Sequence, residues 1–461
     1  MSLFASLTTA ITGLNAQQEA IGNISDNIAN AQTVGFKEIN TSFENLVTES
    51  TPQLNEPGGV KAQPVYENSL SGNLTPSAVT TNLAITGQGF FQVKAPPAAV
   101  AQGQTPDFSA QNYYTQAGDF SVNAQGFLVN SAGYYLTAYG VNPQTNAVDT
   151  STTVPVQISQ LVDAPEATQN VNFISNMPSS YPTQTTGAPP VANPAYTAPP
   201  PITEQIYDAN GAAQTETIQL QHTGANTWTA TITDGSSTST DTSAVLQFTF
   251  GDGTVAGFPA GTLESVTDVT PAATPPATTP VVTTTAAASG GAAGFSVVQD
   301  FGAGPQTLNF NLGTYGSASG ITQYSDATNQ VSSTLTQDGV PRGSFENVSI
   351  DNNGFVDINY TNGQTKAFYQ IAVAQFNAPD QLQRLQGSAF TATLDSGAAQ
   401  LDPPGQNGAG TISPSTLEES NVDIATQFTQ LITAQQVYSA NSKVITTANQ
   451  LLTTVINLIQ G

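Results

Sequence analysis

The chain has no cysteine. That excludes disulfide staples, thiol catalysis and zinc–thiolate sites together. Packing, or contact with other chains, is left to hold a long polypeptide in shape. Charge is nearly as scarce. Asp, Glu, Lys and Arg make up 8% of the 461 residues, roughly a third of the share in an ordinary soluble domain. The charge present has mostly one sign: 32 acidic residues against 7 basic ones, a formal net charge of −25. Nucleic-acid binding draws its affinity from Lys and Arg on phosphates, and anionic membrane surfaces attract the same side chains. Binding to either is not expected. No run reaches the ~18 continuous apolar residues of a membrane-spanning helix, so membrane insertion is not expected. The first residues, Met1 to Thr9, lack the positive start of a cleavable secretory signal. Export, if it occurs, therefore needs another route.

What fills the space is Ser, Thr, Asn, Gln, Ala and Gly, with hydrophobic residues still at 38%. Cores can be buried, and wholesale disorder is excluded. The N-terminal segment keeps a heptad in which Leu7, Leu14, Ile21 and Ile28 repeat, with Leu3, Ala10 and Ile24 on the adjoining seam. The C-terminal segment does the same over a longer stretch, through Ile424, Leu431, Tyr438, Ile445, Leu452 and Ile459. Both spacings predict helices with one apolar face. The second helix is predicted to start near Ser420 and run ~60 Å at ~1.5 Å per residue, with Ser420 or Asn421 as its cap. A stripe of this kind ordinarily packs inside one domain. Here the two stripes lie at opposite ends of the chain, and their other faces are almost uncharged. That combination points to burial against other copies, in a coiled-coil-like assembly.

Between the ends the period changes to 2. Residues 113–139 read as a β meander, with turns at Asn123–Gly126 and Asn130–Gly133. Ser121–Phe127 resembles Ser349–Phe355, and Asn362-Gly363 predicts a type I′ hairpin. The stretches 76–154 and 326–417 are therefore expected to form one discontinuous β domain. The interruption, 155–325, opens with a Pro-rich stretch from Met177 to Pro201. Three alternating strands follow, Ile218/Leu220/His222, Trp228/Ala230/Ile232 and Leu246/Phe248/Phe250, and a Thr/Ala/Pro-rich loop near 270–288.

Catalytic chemistry finds little purchase. The single histidine, His222, shares the parity of Ile218 and Leu220 and reads as a packed residue. No Gly-x-Ser-x-Gly elbow accompanies it. Asp351–Asp357 offers oxygen ligands, but its glycine stands at the fourth position and not the sixth of a calcium loop, so a β-turn accounts for it better. Gly87-Gln-Gly89 leads into a strand, not the helix a phosphate loop requires. No catalytic residue, metal or cofactor is expected.

Several motifs in order carry a family resemblance. Asn23-Ile-Ser-Asp-Asn-Ile-Ala-Asn-Ala-Gln-Thr-Val-Gly-Phe-Lys37 resembles the signature of the flagellar rod, hook and hook-associated axial proteins. Leu83–Val93, Tyr114–Phe120 and Gly126–Tyr134 are similar to that family's next landmarks. Leu417-Glu-Glu-Ser-Asn-Val-Asp423 and Ala440–Thr446 are similar to its C-terminal signature. The signature positions are Asn27, Asn30, Gly35, Phe36, Lys37, Gly89, Phe90, Phe91, Asn421, Val422 and Asp423. Two departures stand out: Gln116 where the family commonly has Arg, and a neutral Gln436 where it has a basic residue.

The resemblance implies a multidomain fold, α and mainly β, with terminal helices 1–35 and 418–461 as a paired inner core. It places a connecting segment at 36–75, the discontinuous β domain in the middle and the inserted all-β domain outside. The insertion favours the hook branch, since rod members are generally much shorter. The implied role is a non-enzymatic subunit that polymerises into a curved, flexible tube passing torque from rod to filament. The implied partners are other copies, the rod, hook cap and hook–filament junction proteins, and the type III export apparatus; the implied location is the extracellular hook on the basal body. Rival readings are a distal rod protein with an insertion, which straight, stiff polymers would distinguish from a hook's curved, supple ones, and a secreted β-rich surface protein or adhesin, which does not account for the matched terminal heptads.

Overall fold

A computed structural model describes residues 3–51, 54–97, 106–158, 162–186, 191–234, 243–271 and 281–460. Part of the Thr/Ala/Pro-rich loop, Gly235 after Asp234, and the side chains of Leu3 and Ile459 lie outside the described residues. The chain is mainly β with a helix at each end: α1 (Leu3–Ala29) and α2 (Ile424–Gln460). It folds as two compact units, Met1–Gln160 with Glu346–Asn359 and Thr365–Gly461, and Leu161–Phe345 with Tyr360–Gln364.

In the first unit, a 13-stranded sheet draws strands from both sides of the insertion. The strand Phe90–Lys94 pairs with Tyr113–Thr115 and Tyr135–Val141 from the early stretch and with Val373–Gln375 from the late one. Its core closes around Phe90, with Phe376 and Phe390 edge-on at 5.9 and 5.5 Å between ring centroids. The meander forms where alternation places it, Ser121–Val122 on Leu128–Val129 on Tyr135. The repeated turn motif also repeats in three dimensions. Asn123 Oδ1 accepts the backbone N–H of Gln125 and Phe127 at 3.0 and 2.9 Å, and Asp351 Oδ1 accepts those of Asn353 and Phe355 at 3.0 and 2.8 Å. Each turn closes on a left-handed glycine, Gly126 or Gly354. The Asp351 carboxylate is thus committed to its own backbone, as a turn requires.

One expectation gains detail and one needs correction. The segment 36–75, expected to connect the helices to the β domain, contains a long hairpin of β1 (Ile39–Thr51) and β2 (Leu54–Tyr66). Its Pro57-Gly58-Gly59 run sits at a bulge opposite Leu46 and Val47, where an extra residue is accommodated without ending the ladder. The hairpin after Tyr360 forms, but only Gly363 has a positive φ (79°). A type I′ turn needs it at Asn362 as well. The Asn362 side chain instead donates to Pro341 O and Asp163 Oδ2.

The second unit holds a five-stranded sheet in the order Ile202–Tyr207, Ala213–Gly224, Thr227–Asp234, Ala244–Phe250, Leu263–Asp268. A six-stranded sheet built around Ala292–Asp300, Pro305–Thr314 and Asn170–Asn176 contributes to the same core. Trp228, Phe173, Phe248, Phe250, Phe310 and Tyr315 are all fully buried there. His222 is buried with them, stacked on Trp228 at 4.6 Å, its Nδ1 paired with Tyr181 O. Among its described residues the Pro-rich stretch contributes one two-residue strand pairing, Thr185–Thr186 on Val191–Ala192.

Candidate functional site: the paired chain ends and their junction

α1 and α2 lie side by side. Asn27 Nδ2 donates to Gln427 Oε1 at 3.1 Å, and Gly13 stands against Asn441, so close that an added Cβ would come within 2.8 Å of its amide nitrogen. One number falls as the other rises, so the helices are antiparallel. The line they bury is not the line of large residues. On α1 the buried positions are Ala10, Gly13, Ala16, Ala20, Ile24 and Asn27, and on α2 they are Gln427, Ala434 and Ala448. Small side chains let two backbones approach closely, and a seven-residue spacing keeps them in register as the helices wind.

The predicted large residues flank this seam. Leu7, Leu14, Ile21 and Ile28 are half-buried, as are Leu431, Ile445 and Leu452. Ile424 and Tyr438 are exposed by 45% and 41%. Further apolar side chains point outward from the pair: Ile11, Phe428, Ile432, Val444 and Leu451 are each more than 40% exposed.

α1 ends at a junction where residues from opposite ends of the sequence meet. Asn27, fully buried, treats Ile39 as a strand would, accepting its N–H and donating to its C=O, both at 2.9 Å. Asn30 closes the helix end, its amide donating back to Asp26. Gly35 follows with φ 64° and its N–H on Glu418 O. A Cβ there would sit 2.6 Å from the backbone nitrogen of Ala117, so both the conformation and the space demand glycine.

Lys37 then runs inward to Glu418. Their charged atoms are 2.6 Å apart, and each side chain is 1% exposed. Lys37 Nζ also donates to Leu70 O at 2.8 Å, and the Glu418 carboxylate accepts Gly72 N–H at 2.8 Å. Burial pulls the lysine below its ordinary pKa, with the facing carboxylate opposing that pull. Removing either partner would strand a buried charge, at a cost of about 3–5 kcal/mol.

Asn421 ties a third strand of chain to the same place. Its Oδ1 accepts Glu38 N–H at 2.7 Å, and its Nδ2 shares the Leu70 carbonyl. Val422 is half-buried beside it. The cap of α2 is Asp423, two residues past Asn421 and three past Ser420, because the helix starts at Ile424 and not near Ser420. Asp423 Oδ1 accepts the N–H groups of Ala425 and Thr426 at 2.8 and 3.1 Å. Gly89, Phe90 and Phe91 lie elsewhere, in the β core, where a Cβ on Gly89 would overlap Val373. Gln116, in place of the family's arginine, is buried and donates to Gly89 O at 2.9 Å. Gln436 is exposed on α2.

One residue of the junction was missed from sequence. Arg384 donates from Nη2 to Lys37 O at 2.7 Å. Its guanidinium lies over Phe36, Tyr66 and Phe390, at 4.9, 5.5 and 5.9 Å from the ring centroids. The signal available was scarcity: where there are 7 basic residues, each one kept is worth asking about.

Four family models match along the chain. Residues 7–37 match the flagella basal body rod protein model, and 84–172 the flagellar hook protein FlgE/F/G D1 domain. Residues 176–340 match the flagellar basal body protein FlaE D2 domain, and 413–458 the flagellar basal body rod FlgEFG protein C-terminal model. The flagellar hook protein FlgE of Brucella abortus is 31% identical over 99% of this chain and 100% of its own. The chain belongs to the flagellar hook protein family. FlgE of Rhizobium meliloti is 30% identical over the same shares, and that of Escherichia coli 27% over 97% and 98%. The crystal structure of Helicobacter pylori hook protein FlgE2 aligns at a TM-score of 0.45 and 13% identity, covering 73% of this chain and 98% of that one. This hook subunit is a structural protein and not an enzyme: it polymerises with its own kind and associates with other flagellar components. The rod and adhesin readings are not favoured.

Proposed function

We propose that 1–35 and 418–461 form the inner layer of a hook tube and that the terminal heptads, Leu7 to Ile28 and Ile424 to Ile459, pack against neighbouring copies. The observation that carries this reading is a mismatch. The two helices bury mostly alanine, glycine and amides, with Ile24 the one large aliphatic among the buried described positions, and leave Ile11, Ile424, Phe428, Ile432, Tyr438, Val444 and Leu451 exposed. Exposed apolar surface on that scale is removed from water by assembly. The signature residues Asn27, Asn30, Gly35, Phe36, Lys37, Asn421, Val422 and Asp423 then fix the angle at which the helix pair leaves the β sheet. Residues 36–75 connect the two, 76–154 with 326–417 form the middle shell, and 155–325 the outer one.

The tube is curved and flexible, a universal joint passing torque from rod to filament. Sparse charge suits that work, because amide and hydroxyl surfaces slide without breaking strong ion pairs. The subunit meets the rod, hook cap and hook–filament junction proteins at the ends of the tube, and reaches its extracellular place through the type III export apparatus. Purified full-length protein is expected to form curved tubes, seen by electron microscopy, and chains lacking 1–30 or 430–461 to stay monomeric with an unchanged β signal in circular dichroism. Tubes from either truncated chain would overturn the reading.

A further inference from the structure

The sequence holds Asn-Gly four times, at Asn210-Gly211, Asn353-Gly354, Asn362-Gly363 and Asn407-Gly408. Asparagine before glycine closes readily into a cyclic imide, because glycine has no Cβ to keep the asparagine side chain off the following nitrogen. The reaction needs that nitrogen free of other engagements. In three of these turns it is tied: Gly211 N–H donates to Asp208 O, Gly354 N–H to Asp351 O and Gly363 N–H to Tyr360 O, at 2.9, 3.0 and 2.9 Å. Each of these glycines is the last residue of its turn, so its N–H makes the bond that closes the turn.

The fourth pair stands one place earlier. Between the strands Gln400–Asp402 and Thr411–Pro414, a turn over 406–409 is closed by Ala409 N–H on Gln406 O at 2.8 Å. Asn407 and Gly408 are its two central residues, with φ 51° and 89°. Positive φ at both is what a type I′ turn requires, the form that the sequence predicts at Asn362-Gly363 and the fold realises here. The N–H of the second central residue takes no part in the closing hydrogen bond. Among the described residues Gly408 N–H has no acceptor, and Asn407 and Gly408 are both exposed. The Asn407 side chain is held through Nδ2, which donates to Asp402 Oδ1 at 2.7 Å. The atom held is the one that ring closure expels.

We propose that Asn407 is a site of self-modification, converting to aspartate and isoaspartate ahead of the other Asn-Gly pairs of the folded chain. Gly408 N attacks Asn407 Cγ. The N–Cγ bond forms as the Cγ–Nδ2 bond breaks, and Nδ2 leaves as ammonia with the proton that Gly408 N gives up. Water then adds to either carbonyl of the imide and opens it. One opening gives aspartate; the other gives isoaspartate, in which the main chain runs through the former side-chain carbon. Nothing is oxidised or reduced. Either product replaces an amide donor to Asp402 by a carboxylate. Asp402 is 6% exposed, and its other oxygen accepts Gln375 Nε2 at 3.3 Å. Two carboxylates there repel each other. The change therefore loosens the loop 403–410, which seats Gly410 N–H on Gln88 O at 2.8 Å and leads into the strand paired with Leu83–Thr86.

The test holds full-length protein in mildly alkaline buffer and follows all the Asn-Gly pairs by peptide mapping, with isoaspartate read by methyltransferase labelling. Asn407 is expected to convert roughly fivefold faster than Asn210, Asn353 or Asn362, since each of those must first give up a backbone hydrogen bond. In denaturant, where the turns are gone, all are expected to convert at similar rates. Asn407→Gln, whose ring would need one more atom, is expected to silence that position and leave the others unchanged. Asn407→Asp is expected to lower the thermal melt of the first unit, and Asn210→Asp, exposed in the second, to leave both melts unchanged. Equal or faster conversion at any other pair in the folded chain overturns the proposal. The same lead for Asn407 in denaturant overturns it too, by tracing the lead to sequence and not to the turn. An unchanged melt for Asn407→Asp overturns the clash with Asp402.

Discussion

The core between the two sheets of the second unit and the seam between the terminal helices solve opposite problems. The first buries the largest side chains the chain has, Trp228, Phe248, Phe310 and Tyr315 among them, and is complete within one molecule. The second buries mostly alanine, glycine and amides, half-buries most of its large heptad residues, and leaves Ile11, Phe428, Ile432 and Leu451 exposed. A core of the first kind makes a domain stable by itself, at about 1.5–3 kcal/mol per large side chain buried. A seam of the second kind aligns two helices at little hydrophobic gain and keeps the apolar surface for a later step. The difference teaches where this protein's assembly is stored: in what the monomer fails to bury.

The largest effects should separate the two regions cleanly. Phe248→Ala is expected to destabilise the second unit by about 3–5 kcal/mol while tubes still form below its melting temperature. Lys37→Met is expected to cost the first unit a similar amount by stranding Glu418, and to abolish tubes. Lys37→Met with Glu418→Met should recover most of the loss, since a buried ion pair replaced by apolar groups is often neutral. Calorimetry of the three variants checks this. A smaller effect probes the seam itself. Gly13→Leu is expected to cost about 1–3 kcal/mol by overpacking against Asn441, whereas Ile432→Ser, in solvent in the monomer, should leave the melt unchanged and weaken assembly alone.

The smallest effect is one of pH. Burial first, and the nearby Glu67 next, raise the Glu38 carboxyl above its ordinary value, while the amide of Gln427, donating to it at 2.8 Å, works the other way. The folded chain then takes up a proton at Glu38 at a higher pH than the unfolded chain does. This group therefore adds stability as the pH falls toward the ordinary carboxylate range, and costs stability at neutral pH. Glu38→Gln is expected to raise stability at pH 7 by at most about 0.5 kcal/mol, because solvent reaches the group, and to flatten the melt against pH between 7 and 5.

Much of this was legible in the linear chain because it rests on local rules. Period alone separates the 3.6-residue helices at the ends from the alternating strands of 213–250, and the Asx turns at Asn123 and Asp351 are written into seven-residue motifs. The helix pair was legible as a pair of stripes, but not which residues of each stripe go inside. Large aliphatic residues carry the hydrophobic signal, whereas the closest approach of two backbones selects for Gly13, Ala20 and Ala434, which carry almost none. The hairpin at 39–66 was hidden by Pro57-Gly58-Gly59, whose disruption the bulge absorbs.

By itself, then, the sequence determined the class of this protein: poor in charge, cysteine-free, helical at the ends and β between, with ordered motifs that place it in a family. Those properties follow from composition, period and short-range turn chemistry, each of which acts over a few residues. Only the tertiary structure decided the junction. Lys37 and Glu418 are separated by nearly the whole chain, and Arg384 is distant from both. What joins them is the folding of the β sheet between, which brings the ends together and shuts water out, so that a lysine and a glutamate become a buried pair and not two solvated charges.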